Sequence, residues 1–349
     1  MTQKIKRFIQ SLHKNKISAY LVTRPLNITY LTDFSSSDSW LLLVPPKTYY
    51  ITDARYTTEA RQGLAGISVK EWKDSREAMV HQLLEKHQLT SLGFDGNHLT
   101  YSGYKKMRRE LKGMKLVEKN SLIEHLREIK TALEVSHIRQ GLQLHKKSWQ
   151  YLKKTIKPGL TEREISRKLE AFIRSKGGAL SFDTIVASGP NACLPHARVT
   201  DRVCRRDDWV LVDWGIDLNG YKTDLTRMFF LGKIPQIILR AYQILRTAQR
   251  AAISKIQAGT AVADIDREAR NVLEAGRLSR YFTHALGHGV GLDVHESPRV
   301  SQRNQSILKE GMIITIEPGV YVPLKYGLRI EDMILVHKED CEVLSDDIY

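Results

Sequence analysis

VLVDWGIDLNGYKTD (residues 210–224) joins an apolar run ending in Asp213 to a second aspartate, Asp224, through a turn at Asn219-Gly220. Asn-Gly between strand-like runs is a two-residue hairpin signal, so the strands are expected to place both carboxylates near one end of a sheet. Downstream, ALGHGVGLDVHE (285–296) holds His288, ITIEPG (314–319) holds Glu317, and LRIED (328–332) holds Glu331. An apolar segment carries a buried carboxylate at high cost unless positive charge lies nearby. Four carboxylates and an imidazole are the donors that a pair of hard divalent cations needs, and two such ions balance the four negative charges. The chain reads as a dinuclear metallohydrolase.

Other chemistries fit these segments less well. Either aspartate alone could cap a turn. GHGVGL lacks GxGxxG spacing and a phosphate-loop lysine, and HESPR has Arg299 where a zincin helix needs its second histidine. Glycines on both sides of His288 are expected to let backbone approach the site closely. In GLRIEDMILV, period-2 alternation puts Arg329 and Glu331 on one face and Ile330 and Asp332 on the other, so Arg329 is expected to orient Glu331. A surface ion pair between these two is the plainer alternative.

The 349 residues suit two domains, with 42% hydrophobic and 27% charged residues, as in an ordinary globular protein. No run approaches the roughly 18 apolar residues of a membrane span. The basic start MTQKIKRFIQSLHKNK lacks a signal peptide's apolar stretch. Cys193, Cys204 and Cys341 read as reduced thiols, and the expected location is the cytoplasm. Cys193, three residues before His196, is not read as a nucleophile, since nucleophile and base are usually distant in sequence. The net charge of +15 is densest in KKMRRELKGMK (105–115), read as a solvated helix face, with no specific nucleic-acid partner expected.

Residues 1–125 alternate helical and strand patterns, predicting a smaller layered α/β domain without chemistry of its own. A long helical stretch from about Ser121 to Ile156 follows as the expected hinge, ended by Pro158-Gly159. Thr161 and Glu164 then form a capping box. PGLTEREISRKLEAFIRSKG (158–177) echoes AGTAVADIDREARNVLEAG (258–276) at an offset of 100, pairing Gly159 with Gly259 and Ile165 with Ile265. A duplicated α+β unit with ligands from both halves is expected.

In order and spacing, these segments resemble the creatinase/prolidase/methionine-aminopeptidase ("pita-bread") metallopeptidase family, in its proline-peptidase branch. The resemblance runs from Arg127-Glu128-Ile129-Lys130 to the C-terminus, and LNITYLTDFSSSDSWLLL (26–43) is similar to the family's accessory domain. It implies an α+β chain with a creatinase-like domain at 1–125 and a catalytic pita-bread domain with a pseudo-twofold repeat at 126–349. Asp213 would chelate one metal, His288 and Glu317 the other, and Asp224 and Glu331 would bridge both. A hydroxide between the metals would be the nucleophile, with Glu317 shuttling its proton. Mn²⁺ is favoured, with Co²⁺, Zn²⁺ and Fe²⁺ open. His196, His284 and His295 would bind the scissile carbonyl and stabilise the oxyanion. Arg329 and Tyr321 match supporting positions, Arg329 counted with the catalytic residues and Tyr321 with those that would bind substrate, and Trp214 and Ile216 depart from the usual pattern. The implied activity is Xaa-Pro aminopeptidase on proline-containing peptides, the alternative being Xaa-Pro dipeptidase (prolidase). A non-catalytic peptide- or nucleic-acid-binding module is the distant rival. A homodimer is implied by analogy.

Overall fold

The computed structural model describes residues 1–35 and 37–348; Ser36, within the accessory-domain resemblance, and Tyr349 lie outside them. The chain divides into two compact units, Met1–Leu126 and Arg127–Tyr349. The first is built on a six-stranded mixed sheet in the order Ser68–Glu71, Lys47–Thr52, Trp40–Val44, Tyr20–Val22, Ser91–Phe94, Lys115–Glu118. Its apolar strands bury Leu21, Leu42 and Ile51 against Val80, Leu84 and Met107 of the helices Arg76–Lys86 and Tyr101–Glu110. The opening helix Gln3–Lys14 buries the stripe Ile5, Phe8 and Leu12 at helical spacing.

The second unit carries the duplication. Helices Glu162–Ser175 and Val262–Ala275 begin 100 residues apart and are each 14 residues long. Each follows a left-handed glycine, Gly159 (φ 100°) and Gly259 (φ 94°). Each entry also pairs with a later segment in the same way: Gly159 N–H donates to Cys204 O and Cys204 N–H to Leu160 O, while Gly259 N–H donates to Leu308 O and Leu308 N–H to Thr260 O. The Thr161–Glu164 capping box is formed.

Two elements differ from expectation. The helical stretch 121–156 is two helices, Leu122–Arg127 and Ala132–Thr155. Between them Ile129 bridges to Met312 and Lys130 N–H donates to Gly311 O, so long-range strand pairing overrides local propensity. Thr131 then restarts the helix with a capping box of its own. The Asp213–Asp224 hairpin forms, with Asn219 and Gly220 at positive φ (56° and 81°), but it is bent into two ladders. Trp209–Trp214 pairs with Leu225–Phe230, and Ile216–Leu218 pairs with Tyr221–Lys222. Gly215 marks the bend, where a Cβ would meet the Phe182 ring and Thr223 O. No helix is long and apolar enough to cross a membrane among the described residues.

Candidate metal centre

The bent hairpin sets Asp213 at the end of a buried strand and Asp224 where the ladder is interrupted. His288 comes from the short strand Gly287–Gly289, and Glu317 directly follows Ile313–Ile316. Glu331 sits between Tyr326–Arg329 and Asp332–Val336, so the continuous strand expected there is broken at Ile330-Glu331. Donor atoms of Asp213, Asp224 and Glu331 lie within 4.8 Å of one another, as do those of His288, Glu317 and Glu331. A third set, Asp224, His288 and His295, meets the same limit, which brings His295 nearer the carboxylates than its expected substrate role required.

These side chains are poorly hydrated: exposure is 11% for Asp213, 8% for Asp224, 10% for His288 and 19% for Glu317. Burial, then the charges of Glu331, Asp213 and Glu317, pushes Asp224 well above the carboxylate range. Glu331 is raised by burial and by Glu317 and Asp213. Glu317 is pushed up to about 8, by burial first and Asp213 second, against the pull of Arg329. Asp213 Oδ1 and Glu331 Oε1 are buried and have no hydrogen-bond partner. His288 donates Nδ1–H to Gly289 O (2.9 Å), which leaves the Nε2 lone pair 3.5 Å from Glu317 Oε1 and 3.6 Å from Asp224 Oδ2. Burial, with His295 adding, holds its pKa at about 4, so it stays neutral at pH 7. A neutral imidazole, orphaned carboxylate oxygens and crowded negative charge fit hard divalent cations in donor type and charge.

Arg329 is the buried cation of the cluster. It reaches Asp213 Oδ2 (2.5 Å), Tyr321 Oη (2.6 Å), Thr226 Oγ1 (3.0 Å) and Pro195 O (3.1 Å). Neither the surface pair with Glu331 nor a direct orienting bond to it forms. Thr226, which no motif singles out, donates its hydroxyl to Glu331 Oε2 (2.9 Å) and relays the effect. The glycines beside His288 also serve differently from the expected approach to a ligand. A Cβ at Gly287 would strike Thr315 O and one at Gly289 would strike Ser297 O, so they permit close strand pairing. Trp214 is fully buried against His145, with ring centroids 5.1 Å apart.

The five residues form the floor of a cavity of about 1220 Å³, also lined by His196, His284, His295, Tyr321 and Arg329. His284 donates Nδ1–H to Ala285 O (2.7 Å) and its Nε2 is buried without a partner. Burial and then Arg329 hold its pKa at about 4. A neutral ring with Nδ1 committed can only accept at Nε2. His196 and His295 are exposed at the cavity. Leu180, Phe182 and Ile185 give one apolar wall; Arg198 and Arg299 add cations that sequence reading missed, because isolated surface-type arginines carry no motif. In the first unit, read as free of chemistry, Asp95, His98 and Glu124 also converge. Their oxygens accept from Asn97, Ser121, Asn27 and His98, an ordinary hydrogen-bonded cluster.

Residues 4–129 match the Creatinase/Prolidase N-terminal domain and residues 136–338 match metallopeptidase family M24. The chain is 32% identical to an Xaa-Pro dipeptidase of Pyrococcus horikoshii over 348 residues, covering 99% of this chain and 97% of the relative. Among solved structures it resembles an Xaa-Pro dipeptidase from Bacillus anthracis (TM-score 0.95, 31% identity, 99% and 97% covered). An X-Pro aminopeptidase from Thermotoga maritima is also similar (TM-score 0.89, 29% identity, 97% of each chain). The chain belongs to metallopeptidase family M24, among the Xaa-Pro peptidases.

Proposed function

We propose that this metallopeptidase is an Xaa-Pro aminopeptidase, with residues 126–349 as catalytic domain and 1–125 as accessory domain. The observation that carries the reading is the five-donor cluster on the floor of a 1220 Å³ cavity. That volume exceeds the roughly 300–1,000 Å³ of pockets that enclose a small molecule, and it leaves room for peptide beyond proline. Asp213, Asp224, His288, Glu317 and Glu331 would hold two divalent ions, Mn²⁺ by preference for an oxygen-rich set. When bound, the ions supply Lewis acidity that polarises the scissile carbonyl and acidifies water.

The chain's own residues account for the rest. Glu317 is the most exposed of the five donors, which suits it to take a proton at Oε and return it to the departing proline nitrogen. His196 and His295, exposed at the cavity, would hold the scissile carbonyl. His284, an acceptor at Nε2, is suited to receive a substrate or water proton rather than to donate to an oxyanion. Tyr321 and Arg329 keep Asp213 in place, and the apolar wall at Leu180, Phe182 and Ile185 excludes water. The unpaired Cys193, Cys204 and Cys341 support a reducing, cytoplasmic setting, and family analogy supports a homodimer.

Arg198 and Arg299 favour a second reading, Xaa-Pro dipeptidase, because either could pair with the free carboxylate of a dipeptide. Turnover of Xaa-Pro and of Xaa-Pro-Yaa-Zaa in added Mn²⁺ separates the two. Cleavage of the longer peptide is expected, whereas dipeptide-only cleavage replaces the first reading with the second. No cleavage of either with Mn²⁺, Co²⁺, Zn²⁺ or Fe²⁺ supports a binding module instead.

A further inference from the structure

Glu162 is a buried acid outside the donor cluster, 0% exposed at the first turn of its helix. All the hydrogen bonds of its carboxylate come from one loop. Oε1 accepts from Ser188 N–H (2.7 Å), Ser188 Oγ (2.8 Å) and Asn191 Nδ2 (3.1 Å). Oε2 accepts from Thr200 N–H (3.1 Å) and Thr200 Oγ1 (2.6 Å). A single carboxylate therefore closes residues 188–200 at both ends. The neighbouring guanidinium of Arg202 is engaged by Asp208 (2.7 and 3.0 Å) and donates to the network at Ser188 Oγ (2.6 Å), while Arg202 N–H donates to Thr200 Oγ1 (3.1 Å). Every partner of Glu162 is a donor, so a group with only acceptors is required; the amide of a glutamine would face at least one N–H with another.

At the middle of this loop His196 lines the cavity. Its ring is exposed, and the chain on either side is anchored, with Pro195 O held by Arg329 (3.1 Å) and Ala197 buried in the core. The loop's ends, closed on Glu162, set the path of the chain that carries the ring. The other half of the duplication has a similar device. Asp266, 0% exposed, accepts from Leu286 N–H (3.2 Å) and from Arg270, which donates to Phe282 O (3.2 Å) and His284 O (2.8 Å) around His284.

We propose that Glu162 is a positioning residue that holds the 188–200 loop so that His196 meets the substrate. This rests on the role given to His196 under the proposed function. The test is a double-mutant cycle of Glu162→Gln and His196→Ala in the metal-loaded protein, read with hydrogen exchange at Ser188 and Thr200. Glu162→Gln is expected to speed exchange at both amides and to lower kcat between about ten- and a hundred-fold, as for a group displaced by an ångström. KM and Mn²⁺ affinity should stay within about two-fold, and the His196→Ala background should show no further loss. Thr200→Val, which removes one of the five bonds described to the carboxylate together with the bonds Thr200 Oγ1 accepts from Asn191 and Arg202 N–H, should act in the same direction more weakly and serves if Glu162→Gln does not fold. Additive losses in the double variant, or an unchanged kcat in Glu162→Gln despite faster exchange while His196→Ala loses activity, overturn the proposal. Full activity in His196→Ala together with a loss in Glu162→Gln also overturns it. Full activity in both overturns instead the role assigned to His196, with exchange still reporting whether Glu162 holds the loop.

Discussion

Arg329 concentrates the electrostatics of the site in one guanidinium. Its fork meets Asp213 and Tyr321 while Nε meets Thr226, a geometry that a lysine ammonium cannot reproduce. Burial works against its charge, but Tyr321, Asp213 and Glu317 outweigh that and hold it protonated. Removing the cation leaves Asp213 buried beside three other carboxylates with nothing to compensate it. Arg329→Met is therefore expected to destabilise the metal-free protein by about 3–5 kcal/mol, the range for breaking a buried ion pair. Urea unfolding with and without Mn²⁺ checks this. The deficit should shrink when Mn²⁺ is present, and an equal deficit in both would show that Arg329 does not compensate the carboxylates. At this scale the sequence disclosed the charged residues through their strand and glycine surroundings. Thr226 stayed hidden, because a threonine in a strand looks alike whether it faces a neighbour or a buried Glu331.

The elements carrying the donors were partly legible for a related reason: local signals reveal local structure. The Asn219-Gly220 turn, the Thr161–Glu164 capping box and the 100-residue echo each depend on a few adjacent residues, and each has its structural counterpart. What could not be read were effects of distant backbone. The 128–131 break depends on Gly311 and Met312, and the interruption at Ile330-Glu331 depends on where Asp332–Val336 pairs with Ile313–Ile316. The glycines flanking His288 belong to this class, since Thr315 O and Ser297 O are what they accommodate. Gly287→Ala forces a methyl group into backbone, which cannot rotate aside as a side chain can. A loss of about 1–3 kcal/mol is expected, as for overpacking a filled interior. Mn²⁺ affinity should fall with it, because His288 rides on the displaced strand. Isothermal titration alongside unfolding measures both, and unchanged affinity in a destabilised Gly287→Ala would separate strand packing from His288 placement.

Over the whole molecule the charge is unevenly matched: a chain of net charge +15 gathers four carboxylates into one cluster. Without cations, that pocket opposes folding as pH rises. Asp224, Glu317 and Glu331 have raised folded-state pKa values, so in the window between unfolded and folded values the native state keeps protons that the unfolded chain has lost. Stability must then decline with rising pH, by about 1.4 kcal/mol per unit for each proton retained. His288 and His284 act oppositely: their folded values near 4 favour the native state as pH rises to about 6.5, where unfolded histidine is also neutral. The two effects oppose each other below pH 6.5, and from there to about 8 the carboxylates act alone. Chelator-treated protein should therefore lose thermal stability between pH 6.5 and 8, while Mn²⁺-loaded protein should not. The metal-induced rise in Tm should be larger at pH 8 than at pH 6.5, with protons released on binding. Asp224→Asn tests the origin, since a neutral amide removes one buried charge. It should raise the metal-free Tm at pH 8 and diminish the response to Mn²⁺. A metal-free Tm that stays flat across this window in the wild-type protein would mean that the carboxylates are relieved by something other than bound cations.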